Sequence, residues 1–291
     1  MTWLITGGSG QLGIAVSREL GRRGILSVAW NSKDLDITKG PIVRDLIADL
    51  SPTVVINCAA WTDVDAAETS HARVLEVNGE GAKNVAYAAK LAGAKLFQIS
   101  TDYVFSGESA EPWQTNEIMN PKTTYGLTKA EGERRVLEVY PENSSIIRTA
   151  WLYSPWGKNF AKTMTWLAIN GDGVVHVVSD QLGQPTSAMD LAKQLIDLGL
   201  SSSPVGIYHG TNSGEASWYE FAKVIFELVG ADTSRVLPVS SNEYPRPAKR
   251  PPYSVLSHDS WSKTSVEPMR DWRIAIKEAL PAIISAVELE E

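Results

Sequence analysis

The sequence predicts an α/β protein built on a doubly wound parallel sheet, and three observations carry that expectation. Short apolar runs alternate with amphipathic helical stretches through the first half of the chain, the pattern of parallel strands joined by right-handed crossovers. The run at 53–59 is nearly unbroken, as expected for a strand buried on both faces. A glycine-rich turn, Gly7-Gly8-Ser9-Gly10-Gln11-Leu12-Gly13, joins the first apolar run to the first helical stretch.

In order, Trp3–Thr6 reads as the first strand, and 13–21 as a helix closed by Gly21 and Gly24. A second strand follows at 25–30, and a helix at 41–50 carries Ile42, Leu46, Ile47 and Leu50 on one face. After the strand at 53–59 come a helix around 66–84 and another through Ala92. A strand at 95–100, a helix at 125–140 and a strand at 145–149 complete the first half. Beyond Thr149 the composition changes: six of the ten tryptophans and ten of the fifteen prolines fall there. We expect a first domain over 1–149 and a smaller C-terminal α/β domain over 150–291. A strand near 174–178 and a helix near 188–200 are expected to pack back on the first. The loop at 240–254 holds Pro245, Pro247, Pro251 and Pro252, and loops of that length are usually functional.

Composition narrows the function. The 27 Lys and Arg against 34 Asp and Glu give a formal charge of −7, which argues against a nucleic-acid partner. A phosphate-bearing small molecule can still be held by backbone N–H groups and one or two cations. Cys58 is the only cysteine, so no intramolecular disulfide can form. The chain opens without a basic-then-apolar leader and contains no apolar stretch of ~20 residues. It therefore reads as cytoplasmic, with no membrane partner. His176 stands alone in an apolar run, and no cluster has metal-ligand spacing, so no metal is expected.

Gly7, Gly10 and Gly13 follow a strand and open a helix, the context that gives this spacing its meaning. Such glycines allow a tight turn and let the backbone approach a pyrophosphate at the helix N-terminus. The end of the second strand then selects the cofactor. An acid there holds a ribose 2′-hydroxyl, whereas cationic or small polar groups accommodate a 2′-phosphate. Asn31-Ser32-Lys33 stands there without an acid, so NADPH is expected, with NADH as the alternative. Asn57-Cys58-Ala59-Ala60 ends the third strand with small residues, suited to a nearby ribose or simply to tight packing.

A second constellation lies at 100–129. Tyr125 and Lys129 are four apart, on one face of a helix. An ammonium near a phenol lowers its pKa from ~10 and makes Tyr125 a better proton donor. Thr101 ends an apolar run, at the strand end where ligands of open α/β sheets bind, and its hydroxyl can share the same substrate oxygen. Tyr and Lys at this spacing occur by chance on many helices. The glycine turn and the strand-end Thr101 give the pair its weight.

In these residues the chain resembles the extended short-chain dehydrogenase/reductases, with a Rossmann-type first domain, and within them the dTDP-4-dehydrorhamnose reductase family. The likeness runs over nearly the whole length. Its narrower motifs are Ser100-Thr101-Asp102-Tyr103-Val104-Phe105, Asp180-Gln181-Leu182-Gly183-Gln184-Pro185-Thr186 and Arg250-Pro251-Pro252-Tyr253-Ser254. The resemblance implies NAD(P)H-dependent reduction of the C4 ketone of a dTDP-linked 6-deoxy-4-ketohexose, a step of deoxysugar biosynthesis. It implies catalysis by Thr101, Tyr125 and Lys129, with Asp102 orienting them. It assigns the cofactor to Gly7, Ser9, Gly10, Gln11, Leu12, Gly13, Asn31, Ser32, Lys33, Asp36, Ile37, Cys58, Ala59, Ala60, Thr62, Asn78, Tyr125 and Lys129. The sugar nucleotide falls to Thr101, Asp102, Trp151, Asn159, Gln184 and Arg250, whose guanidinium fork matches diphosphate oxygens. Some family members are described as dimers bridged by Mg²⁺ through acids, one of them on the first helix. Ala15 stands in that helix here, so a monomer or weak homodimer without metal is expected. Two further readings stay open on the sequence: an epimerase or dehydratase of the same superfamily, and a regulatory subunit that binds cofactor without turnover.

Overall fold

The computed structural model of the chain describes residues 1–289. Its regular elements begin with β1 (Trp3–Thr6), α1 (Gln11–Arg22), β2 (Ser27–Trp30), α2 (Gly40–Leu50) and β3 (Val54–Asn57). They continue with α3 (Val64–Ala67), α4 (His71–Leu75), α5 (Ala82–Ala92), β4 (Lys95–Thr101), α6 (Thr124–Val139) and β5 (Ser144–Thr149). Then come β6 (Leu152–Tyr153), α7 (Phe160–Asn170), β7 (Val175–Val178), β8 (Leu182–Gly183), β9 (Thr186–Ser187) and α8 (Ala188–Leu200). The last are β10 (Ile207–His209), β11 (Ala216–Ser217), α9 (Trp218–Val229), β12 (Val236–Val239) and α10 (Trp272–Glu288).

Six strands form one wholly parallel sheet in the order β10-β5-β4-β3-β1-β2. The chain winds one way from β1 to β2 and the other way through β3, β4 and β5. This doubly wound, Rossmann-type arrangement opens a crevice beyond the C-terminal ends of β1 and β3. Residues alternate across the sheet as a pleat requires. Trp3 and Ile5 enter a core with Val16 and Leu20 of α1 and Leu191 and Leu195 of α8. Leu4 and Val55 enter another with Val43 and Ile47 of α2 and Val85 and Ala89 of α5. Helices on both faces explain why these strands read as unbroken apolar runs. A third core lies wholly beyond residue 150, where Tyr153, Phe221, Phe226, Trp272 and Ile276 meet between α7, α9 and α10. No helix among the described residues is long and apolar enough to cross a membrane.

Three features depart from the sequence expectation. The stretch 66–84 is not one helix: it breaks after Ala67 and passes through a π-helical segment, Glu76–Gly81. That widened turn carries Asn78, whose side chain bonds the N–H and carbonyl of Trp61 and the Thr128 hydroxyl. The strand at 175–178 does not pack back on the first sheet but pairs in parallel with β12. The sixth strand, β10, has only three residues, too few for any periodicity to report.

Candidate active site

A buried polar ladder runs from the C-terminal ends of β1 and β3 to the middle of β4. The Thr6 hydroxyl donates to Asn57 Oδ1 (2.5 Å), and Asn57 Nδ2 donates to Gln98 Oε1 (2.7 Å). Just beyond, the chain turns, with the Gly10 N–H donating to the Gly7 carbonyl (3.0 Å). A Cβ on Gly13 would collide with the Gly7 carbonyl oxygen and stand 2.8 Å from Gly8 Cα, so only glycine lets α1 start this close to the turn. No side chain caps α1, and its first turn carries no acid. Its N–H groups and positive end are therefore left to the crevice.

A cavity of about 970 Å³ lies over these ends. Gly7, Ser9, Gly10, Gln11, Leu12 and Gly13 line it, with Ser32, Asp36, Ile37, Cys58, Ala59, Ala60 and Thr62. Thr101, Asp102, Tyr125, Lys129 and Trp151 line it as well. Burial works against the Asp36 carboxylate, but the Thr38 hydroxyl and N–H hold it below its ordinary value. Burial pushes the Cys58 thiol up to about 12, so it lines the cavity as a neutral group.

Six residues expected at the site lie outside this lining, each for a visible reason. Asn31 Oδ1 accepts from the Lys33 N–H (2.7 Å), in a turn that leaves Lys33 exposed. The lining cation near Asp36 is instead Arg73 of α4, and each lies within the other's electrostatic reach. Asn78 is buried beneath the loop at Trp61. Asn159 caps α7 and donates to Gln11 Oε1 (3.1 Å), bracing the glycine turn from behind. Gln184 Oε1 accepts from the Leu256 N–H and the Thr211 hydroxyl, both at 2.9 Å, and is buried. Arg250 donates to Asp65 (2.8 Å) and to the Tyr103 phenol oxygen (3.3 Å), in a neighbouring pocket of about 50 Å³. The lining also includes Arg73, Tyr103, Lys158 and Trp218. No motif marks them, although Tyr103 falls inside the distinctive run at 100–105.

Helix α6 starts where it does because Thr123 Oγ1 accepts from the Gly126 N–H (3.1 Å). A Cβ on Gly126 would collide with the Tyr103 carbonyl oxygen and stand 3.0 Å from Pro121 Cβ. The bare glycine lets α6 lie on the turn after β4, which brings Tyr125 to Thr101. The Tyr103 ring meets the Tyr125 ring edge-on, centroids 5.6 Å apart. The Thr101 hydroxyl donates to Asp102 Oδ1 (2.9 Å), and Lys129 Nζ donates to the Ile99 carbonyl (2.6 Å).

Desolvation dominates the electrostatics here. Burial lifts the Tyr125 phenol well above its ordinary value; the Thr101 hydroxyl pulls the other way, and Asp102 and Tyr103 add to the rise. Burial pushes Lys129 down to about 8, with Glu133, one turn on, and Cys58 holding it up. The expected lowering of Tyr125 by Lys129 is therefore not found: the ammonium is committed to the Ile99 carbonyl, and burial of the phenol prevails. Burial also pushes the Asp102 carboxyl up to about 6, against the pull of the Ser254 and Thr101 hydroxyls. Asp102 Oδ2 has no hydrogen-bond partner among the described residues. Behind Lys129, Arg148 donates to Glu133 through Nε (2.9 Å) and Nη2 (2.7 Å), and the Ser100 hydroxyl donates to the same carboxylate. The arrangement offers two hydroxyls to one carbonyl oxygen, beside a crevice shaped for a dinucleotide.

Over residues 1–284 the chain matches the family described as the RmlD substrate binding domain. It is 47% identical over 285 residues to a dTDP-4-dehydrorhamnose reductase of Streptomyces griseus, covering 97% of this chain and 93% of that one. It is 41% identical over 284 residues to a dTDP-4-keto-6-deoxy-D-glucose reductase of Streptomyces niveus, covering 97% of each. The solved structure of a dTDP-4-dehydrorhamnose reductase of Bacillus anthracis in complex with NADP is 37% identical. It superposes with a TM-score of 0.91 over 96% of this chain and 98% of that one. With a match of this length on a shared fold, the chain belongs to the RmlD substrate binding domain family.

Proposed function

We propose that the protein reduces the C4 ketone of a dTDP-linked 6-deoxy-4-ketohexose with NADPH, giving dTDP-L-rhamnose in the simplest case. The observation that carries this reading is the meeting of the Thr101 and Tyr125 hydroxyls at the end of β4, in the cavity that the glycine turn also lines. NADPH, when bound, supplies the hydride. The groups that fit it are the cramped turn at Gly13 and the uncapped start of α1, whose N–H groups suit a pyrophosphate. Thr101 and Tyr125 hold the ketone oxygen, and Tyr125 gives it a proton. A phenol raised by burial keeps that proton through the neutral range, which is the state a reductase needs. Lys129 positions the nicotinamide ribose. Asp102 accepts from the Thr101 hydroxyl and fixes where it sits. Residues 1–149 together with α8 and β10 form the cofactor unit, and the rest of 150–289 forms the sugar-nucleotide unit. Asn159, Gln184 and Arg250 act at one remove, as braces for Gln11, the 256 backbone and Tyr103.

The test supplies purified protein with NADPH and dTDP-4-keto-6-deoxy sugars while the nicotinamide absorbance is followed. Oxidation of NADPH is expected, and product analysis then reads the C4 configuration. No oxidation with any such sugar would overturn the reading in favour of a cofactor-binding subunit without turnover.

Arg73 takes the place at the adenosine end that Lys33 does not fill. Arg73→Ala is expected to weaken NADPH binding about tenfold, the value of one charge-assisted contact, and to leave NADH nearly unchanged. Titration calorimetry with each cofactor measures this. Equal losses for both would remove Arg73 from the 2′-phosphate.

A further inference from the structure

Trp151 has a left-handed backbone, φ 46°, a conformation that is strained for a bulky side chain and persists only where its surroundings over-determine it. Three contacts do so here. Its ring stacks on Trp218, with centroids 3.6 Å apart and 10° between the planes. Gly183 abuts the benzo ring, since a Cβ there would stand 2.6 Å from Trp151 Cε2. The Trp151 carbonyl accepts from the Thr186 N–H (3.1 Å). Trp218 is itself held. It opens α9 directly after Ser217, whose side chain and Glu220 form a reciprocal capping box, and it leans on Phe160 at 4.6 Å.

Both indoles line the cavity that Thr101, Asp102, Tyr125 and Lys129 also line. They add a rigid apolar surface to the same cavity. A 6-deoxyhexose has one polar edge to give to the hydroxyls and one apolar side, carrying its methyl group, to give to a flat ring. At 3.6 Å the two indoles are already in contact, so no ligand ring fits between them.

From this arrangement we infer that Trp218 is a positioning residue for the sugar nucleotide: by stacking on Trp151 it holds the apolar wall against which the deoxysugar packs. The inference rests on the reductase reading above. Removing the Trp218 ring takes away the face contact, one of the three that hold Trp151 in its left-handed conformation, and the wall loosens. Thr101 on β4 and Tyr125 and Lys129 on α6 are held by different elements, so the chemical step is spared.

Trp218→Ala is expected to raise the KM for the dTDP-4-keto-6-deoxy sugar about tenfold, the value of a stacked aromatic pair. The kcat and the Kd for NADPH are expected to stay within about twofold. Trp218→Phe, which keeps a ring against Trp151, is expected to restore KM to near the wild-type value. The circular-dichroism couplet of two stacked indoles is expected in the wild type and absent from both Trp218→Ala and Trp151→Ala. An unchanged KM in Trp218→Ala overturns the proposal. So do parallel losses of kcat, KM and NADPH affinity, or a failure of Trp218→Phe to rescue, since either marks a merely structural role. An active wild type with any of these results sinks this proposal alone, whereas a wild type without turnover sinks the reductase reading as well.

Discussion

Tyr125→Phe is expected to lower kcat about a thousandfold while the Kd for NADPH stays within about threefold. The phenol reaches the Thr101 hydroxyl, and burial keeps its proton on through the neutral range. Phenylalanine keeps the ring and its edge contact with Tyr103, so the cavity wall survives and only the proton is lost. The surviving Thr101 hydroxyl can bind the ketone oxygen only by turning its proton away from Asp102 Oδ1, and an alcohol is a poor replacement acid. Steady-state kinetics and a direct cofactor titration separate the two quantities. A variant with the wild-type rate would remove Tyr125 as the acid.

Glu133→Gln is expected to cost about 3–5 kcal/mol of stability, the usual penalty for leaving one member of a buried ion pair alone. Glu133 and Arg148 are each 1% exposed, and the pair is two-pronged, with the Ser100 hydroxyl as a third donor to the carboxylate. The amide cannot satisfy that guanidinium, so denaturant unfolding should show an earlier midpoint with little change in slope. The same variant has a kinetic readout. Lys129, whose value burial lowers to about 8, loses its ammonium as the pH rises through that value, so kcat/KM should fall there on the alkaline side. Glu133 holds the ammonium up, and removing its charge moves the fall to lower pH. An alkaline limb that stays in place would show that Lys129 is not the group titrating.

The site was legible where the chemistry is local. Gly13 had to be glycine, because a side chain there would meet the turn itself, and that clash lies within a seven-residue stretch. Tyr125 and Lys129 are one turn apart on a helix whose cap, Thr123, is also in the sequence. Arg73 and Lys33 show where legibility stops. Both are cations near the expected ribose, yet the Asn31 turn leaves Lys33 exposed, while α4, far along the chain, brings Arg73 to the cavity. Trp218 reaches the cavity only because β11 and the cap at Ser217 aim the start of α9 toward Trp151. Asn159, Gln184 and Arg250 are the converse: their motifs are distinctive, but their polar atoms are taken up by protein partners rather than lining the cavity.

By itself, then, the sequence determined the alternating strands and helices and the glycine turn, and it singled out Tyr125 as the proton donor proposed here. Each of these depends on residues within a few positions of one another. Tertiary structure alone decided the edge strand β10, the pairing of β7 with β12, the paired indoles and the direction in which burial shifts Asp102, Tyr125 and Lys129. Pairing across distant segments leaves no periodic trace in the chain. A pKa follows how completely a group is removed from water: the same Lys129 that spacing set beside Tyr125 is turned to the Ile99 carbonyl once burial sets the terms.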